Sequence, residues 1–242
     1  KTAYEIRLSL VGSEMCIRDS SFTEENYLKA IYKVAEAGNG TISTNDIARK
    51  LNTTAASVTD MLKKLAKKKF IKYKKYQGLS MTDSGRKIAL GIIRKHRLWE
   101  MFLVKVLKFK WDEVHDIAEQ MEHIRSEKLV QHIDKVLNYP KFDPHGDPIP
   151  DINGKMILSK EKSVLLSDMK EDKACVVTGV VDHSRSFLQL LDKSGIILGS
   201  KLMVKSVQPY DKSLSILLNG KKRLFISSEI AKNILVTAGA KK

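Results

Sequence analysis

The segment NYPKFDPHGDPIPDINGK, residues 138–155, holds four of the chain's five prolines and separates two kinds of apolar pattern. Proline removes a helical donor and clashes with the preceding turn, so no helix continues through it. Upstream, apolar residues recur every three to four positions. In SFTEENYLKAIYKVAEAG, Tyr27, Ile31 and Val34 share a helical face, Thr23 is the candidate N-cap and Gly38 the stop. Downstream, ACVVTGVVD, KLMVKSVQPYD, LSILL and RLFIS read as strands, Asn219-Gly220 as a hairpin turn, and SFLQLLDKSG and SSEIAKNIL as short helices. The fold class is therefore α+β. A helical part is followed by a Pro-rich linker over 141–157 and a small SH3-like β-barrel over 158–238.

The first helices are organised closely. STNDIARKLN opens with Ser43 three residues before Asp46, a capping-box spacing, and ends near Asn52. TTAASVTDMLKKLAKKKF follows after three or four residues with Val58, Leu62 and Leu65 on one face, which is helix-turn-helix spacing. FIKYKKYQGLSMTDSG then alternates apolar and basic residues around a glycine, as a two-stranded wing. Residues 21–87 thus read as a winged helix-turn-helix. Charge agrees: of a formal +15, residues 21–100 carry 17 Lys and Arg against 7 Asp and Glu, whereas 101–140 carry 6 against 7. A basic domain of this shape suits a polyanion. Thr53, Thr54, Ser57, Thr59 and Asp60 offer short polar side chains to base edges and phosphates. Lys63, Lys64, Lys72, Lys74 and Lys75 neutralise phosphate without reading sequence and imply steep salt dependence. The plainer reading is a soluble basic protein with a solvated lysine face.

GRKIALGIIRKHRLWEMFLVKVL reads as a long helix with His96 and Glu100 at i,i+4. Two more helical segments complete a helical domain over 88–140, with Leu129, Ile133, Val136 and Leu137 as a seam that is either core or a dimer surface. In HDIAEQMEHIRSE, a continuous helix sets His115, Glu119, Glu122 and His123 at about 0°, 40°, −20° and 80° around the axis. Taken alone, such a stripe is a solvated face. The chain has no run of 18 apolar residues to span a membrane. Its two cysteines, Cys16 and Cys175, make no disulfide framework, which fits a reducing cytoplasm. Residues 1–20 lack an export-signal pattern. LVGSEMCIRDS within them resembles read-through of a sequencing-library adapter, so the segment is read as non-native or as a disordered arm.

In order, EENYLKAIY, the helix-turn-helix, MTDSGRKIA, IIRKHRLWE, VHDIAEQMEHIRSE and DPHGDPIP resemble the diphtheria-toxin-repressor family of metal-dependent transcription regulators. The final domain is similar to ferrous-iron-transport A proteins. The resemblance implies a homodimeric repressor of metal-uptake genes that binds a double-stranded DNA operator when loaded with Mn²⁺ or Fe²⁺. It implies a primary metal site at Asn26, Glu119, Glu122 and His123, an ancillary site at His96, Glu100 and His115, and His183 as a further candidate ligand. Lys29 stands where manganese-type members carry a glutamate, which puts a binuclear site in doubt. Oxygen and imidazole donors without thiolate suit Mn²⁺ or Fe²⁺, with Zn²⁺ or Co²⁺ able to occupy the site in vitro. Neither a membrane nor a small-molecule substrate is implied. Two other readings stay open: a winged-helix regulator that senses no metal, and a metal-dependent hydrolase, for which the chain lacks HExxH spacing and an evident nucleophile or phosphate loop.

Overall fold

A computed structural model describes residues 20–37, 42–74, 78–156 and 163–238. The expectations for Cys16, Gly38 and Lys75 lie outside them. The chain forms two compact units. The first comprises the described residues up to Lys95 with Glu122–Ile124 and Pro150–Lys155; the second comprises His96–Met121, Arg125–Ile149 and the described residues from Met156 on.

The first unit begins with α1, Phe22–Ala37. Ser21 caps it, not Thr23: Ser21 Oγ accepts the Glu24 N–H at 3.3 Å and Glu24 Oε2 accepts the Ser21 N–H at 2.8 Å. Glu24 completes this reciprocal box, and Thr23 lies inside the first turn. Ser43 caps α2, Thr44–Lys50, as its spacing predicts. Asn52 turns the chain at φ +48°, and Thr54 caps α3, Ala55–Lys67. Val58, Leu62 and Leu65 of α3 are fully buried, each worth about 1.5–3 kcal/mol of apolar burial. β1, Ile71–Lys74, pairs antiparallel with β2, Gly78–Met81, to form the wing. The wing feeds α4, Asp83–Lys105, whose later residues, from His96, belong to the second unit. Gly85 sits so close to the wing that a Cβ there would meet Phe70 O at 2.0 Å.

In the second unit, α5 spans only His115–Met121 and α6 spans Glu127–Val136. The stripe expected along one helix is therefore broken, because Ser126 starts a new helix by accepting the Leu129 N–H. Glu122 and His123 fall in the turn between. Of the expected seam, Ile133 is buried along with its neighbour Val130, whereas Leu129 and Val136 are exposed.

β3, Val164–Leu165, leads into the sheet. β4 is Ala174–Val180, α7 Arg185–Ser194, β5 Lys201–Val207 and β6 Leu214–Leu218. They are followed by β7, Lys222–Ile226, then α8, Ser228–Ala231, and β8, Ile234–Ala238. The six strands run antiparallel in the order β3-β8-β4-β5-β6-β7, and Asn219 and Gly220 take positive φ in the turn before β7. Residues 234 and 235, expected to continue a helix, instead open β8, whose Ile234 and Val236 are buried and pair with β4. Cys175 is buried, and burial pushes its thiol up to about 11, which leaves it inert.

The Pro-rich stretch is not a free linker. Asp143, His145 and Ile149 are buried, and Val180 N–H donates to His145 O at 3.0 Å. At Gly146, φ is +93° and a Cβ would stand 2.1 Å from Thr178 O. Only glycine permits this approach of the loop to β4.

Candidate metal centre

The second unit assembles a buried cluster around Glu100 on α4. His96, one turn earlier, places Nε2 3.0 Å from Glu100 Oε1, and His115 at the start of α5 places Nδ1 3.3 Å from the same oxygen. The i,i+4 spacing and the entry of α5 thus bring together the three residues expected at the ancillary site. Sequence reasoning missed two more, Asp143 and His145. His145 Nε2–H donates to Trp111 O at 2.8 Å, which leaves Nδ1 as the nitrogen able to ligate once it gives up its proton. That Nδ1 is buried, has no hydrogen-bond partner, and stands 3.7 Å from Glu100 Oε2. A carbonyl that fixes one ring nitrogen and aims the other inward is how proteins prepare a histidine for a metal.

Asp143 Oδ1 accepts the N–H groups of His145 and Asp147 at 2.8 and 2.9 Å, shaping the loop. Arg97 holds the loop through Pro148 O and Asp147 Oδ2. Two overlapping groups, His96/Glu100/His115 and Glu100/Asp143/His145, each have donor atoms within 4.8 Å of one another. His183 stacks on His145 with ring centroids 4.8 Å apart, but its Nε2 lies 3.3 Å from Val180 O, so it is a neighbour of the cluster in this arrangement.

The electrostatics match a site built for a cation. Burial pushes the Glu100 carboxyl up, yet His115, His145 and His96 outweigh it and hold it well below the usual range. Burial pushes His145 down, and the Glu100 carboxylate more than reverses this, lifting the imidazole to about 9. Asp143 is pushed up to about 7 by burial and by the charges of Glu100 and Asp147. In the absence of metal, protons supply the positive charge that this cluster of carboxylates requires. Imidazole and carboxylate donors, with His145 Nδ1 turned inward and able to exchange its proton for a metal, fit a divalent transition ion.

The residues expected at the primary site are arranged differently. Asn26 is exposed on α1. Its neighbour Glu25 is buried and meets His123 Nδ1 at 2.7 Å, while Phe22 stacks on the imidazole with centroids 4.8 Å apart. One residue of register, about 100° of helix, separates the two positions. Lys29 Nζ lies 2.6 Å from Glu122 Oε2, both side chains buried. Glu119 is on α5 with half its side chain exposed, 3.8 Å from His115 Nε2. At an effective dielectric of about 20, a dication and an ammonium about 4 Å apart repel by about 8 kcal/mol. The Lys29 ammonium therefore opposes an ion at Glu122 in this arrangement, whereas the Glu100 carboxylate is faced by three imidazoles.

On the winged helix, Ser57, Asp60, Lys63 and Lys72 are exposed. Thr54 Oγ1 is used as the α3 cap, Thr59 Oγ1 donates to Ala55 O, and Asp60 pairs with Lys63. Lys64 and Lys68 turn to Glu24 on α1 at 3.2 and 3.0 Å. Thr53 is half-buried behind them, and the backbone of Lys74 ends β1.

Comparison with known proteins bears directly on these observations. Residues 20–79 match the iron-dependent repressor N-terminal DNA-binding domain, residues 82–151 its metal-binding and dimerisation domain, and residues 164–238 the FeoA domain. The chain is 31% identical over 164 residues to the diphtheria toxin repressor of Corynebacterium jeikeium, covering 67% of each chain. It is 28% identical over 194 residues to the iron-dependent repressor IdeR of Mycobacterium leprae, covering 76% of this chain and 84% of the relative. A manganese-dependent transcriptional repressor solved in complex with manganese superimposes with a TM-score of 0.80 at 31% identity, over 89% of this chain and all of that one. Similar repressors have been solved with Cd²⁺ and with Zn²⁺. The chain belongs to the diphtheria-toxin-repressor family of iron- and manganese-dependent transcriptional repressors.

Proposed function

We propose that the protein is a metal-dependent DNA-binding repressor of metal-uptake genes, active as a cytoplasmic homodimer on an operator and without a catalytic role. The observation that carries metal dependence is His145 Nδ1, buried without a hydrogen-bond partner and turned toward Glu100. His96, Glu100, His115, Asp143 and His145 would hold Mn²⁺ or Fe²⁺, with Zn²⁺ or Co²⁺ binding in vitro, and the ion supplies the positive charge that protons supply without it. Arg97 keeps the 143–147 loop in place for this, and Trp111 O sets the His145 tautomer. Ser57, Asp60, Lys63 and Lys72 on α3 and the wing form the DNA surface, with Thr53, Thr54, Thr59 and Lys74 beside them. Lys64 serves partly to tie α3 to Glu24. Exposed Leu129, Val136 and Tyr139 on and after α6 support a dimer surface there. Among the described residues no helix is long and apolar enough to cross a membrane.

Filter binding of operator-containing genomic fragments, with Mn²⁺, with Fe²⁺ and with chelator, tests the reading. Binding that requires the ion supports it. Sequence-specific binding indifferent to chelator would favour a regulator that senses no metal.

A further inference from the structure

The first unit contains a cation that no change of metal supply can remove. Lys29 is an α1 residue whose ammonium is buried against the Glu122 carboxylate at 2.6 Å. One turn earlier on the same helix, Glu25 holds His123 Nδ1 at 2.7 Å, and Phe22 stacks on that imidazole. Successive positions 22, 25 and 29 follow the i,i+3,i+4 rule, so a single face of α1 grips residues 122 and 123 at three points. A buried carboxylate needs a cationic partner, and here the chain provides one covalently. Glu25 in turn meets His123 Nδ1, so α1 contacts both residues of the turn.

We infer that Lys29 is a built-in cation that takes the place of a metal ion at Glu122, so that α1 is held to residues 122–123 by the Lys29–Glu122 ion pair and the Glu25–His123 contact at any metal level. A divalent ion then acts at the Glu100 cluster, and the inference rests on that reading only for where the ion goes. Glu24 extends the consequence. It lies between Phe22 and Glu25 in α1, and its carboxylate meets Lys64 and Lys68 of the DNA-reading helix region at 3.2 and 3.0 Å. The tethered helix thereby also tethers α3, without a metal in the chain of contacts.

Two measurements on the full chain test this. Bound Mn²⁺ per chain is counted by equilibrium dialysis for the wild type, Glu122→Gln and Glu100→Gln. Equal counts for wild type and Glu122→Gln, with one equivalent fewer in Glu100→Gln, are expected; one equivalent lost in Glu122→Gln overturns the inference. Hydrogen exchange of α1 amides is then followed in chelator. The wild type should stay protected, Lys29→Met should exchange about tenfold faster or more, and the reversed pair Lys29→Glu/Glu122→Lys should regain protection. If chelation alone deprotects wild-type α1 as much as Lys29→Met does, the ion pairs are not what holds it and the inference fails. Should the wild type bind no Mn²⁺, the proposed metal dependence is refuted, and the exchange measurement still decides the role of Lys29. Where Glu122→Gln unfolds, Lys29→Met/Glu122→Met, which removes both charges, replaces it in the count.

Discussion

Glu100→Gln is the most informative single change in the Glu100 cluster. It keeps the shape of the side chain and removes the charge that three imidazoles face. In the folded, metal-free protein His145 titrates at about 9, against an ordinary 6.5. That difference is worth about 3 kcal/mol. Because the folded value is raised, this stabilisation is fully present below pH 6.5 and is lost as pH rises through 9. Between pH 7 and 8.5 the wild type should lose about 2 kcal/mol from this residue. The window is chosen to isolate it. Asp143, titrating at about 7, is at mid-transition where the window opens and adds only about 0.4 kcal/mol across it, burial holds His183 below its ordinary value, and Cys175 ionises only near 11.

In Glu100→Gln the burial of His145 is unopposed by that carboxylate, so the imidazole should be neutral across the window and the slope should vanish. The assay is urea unfolding in chelator at pH 7, 7.5, 8 and 8.5 for both proteins, with the His145 ring proton followed by NMR. Groups remote from Glu100 cancel in the comparison, and the ring-proton titration separates His145 from Asp143 and His183, which also feel the Glu100 charge. Identical pH slopes, or a wild-type His145 titrating near 6.5, would refute the account of the cluster as a carboxylate set balanced by protons.

Other consequences are separately measurable. Mn²⁺ binding at pH 6.5 should release at least about one proton per ion, since His145 is protonated there and must be neutral to ligate; calorimetry in buffers of different ionisation enthalpy reads this, and no release would exclude His145 as a ligand. Gly146→Ala forces a side chain into Thr178 O at a positive φ and should cost at least about 2 kcal/mol; an unchanged urea midpoint would show that the loop does not dock on β4 in solution. Lys63→Ala should lower the slope of log affinity against log salt by about 1 without changing operator preference, and an unaltered slope would remove Lys63 from the phosphate contacts. Val136→Glu should shift sedimentation toward monomer, and a persistent dimer would place the interface elsewhere.

The sequence made local features legible and long-range ones illegible. Ser43, Thr54 and the Val58/Leu62/Leu65 face write the helix-turn-helix within a few residues, and the structure follows them. His96 and Glu100 were readable together because i,i+4 spacing needs no knowledge of the fold. His145 was hidden because prolines on either side of His145-Gly146 mark it as linker, and only the approach of Gly146 to Thr178 and Gly179 in β4 buries it. Asp143 followed by a residue pattern that lets its carboxylate take two backbone N–H groups was the available signal. At Asn26 the expected position and the residue that meets His123 differ by one step of register. Helical spacing assigns a face, but which of two adjacent residues reaches His123 depends on where α1 meets a turn whose position Ser126 sets far downstream.

The two clusters differ in what balances their charge, and that difference assigns their roles. Glu122 faces an ammonium bonded to its own chain, a counter-charge that does not depend on metal supply. Glu100 faces three imidazoles, one of them protonated only because the carboxylate demands it, while Arg97 is committed to Asp143 and Asp147 of the loop. Protons are exchangeable with other cations, and a covalently tethered ammonium is not. A sensor must answer a change in supply, so the site whose counter-charge is exchangeable is the one able to report it, and the site with a fixed counter-charge is the one able to hold the DNA-binding unit ready.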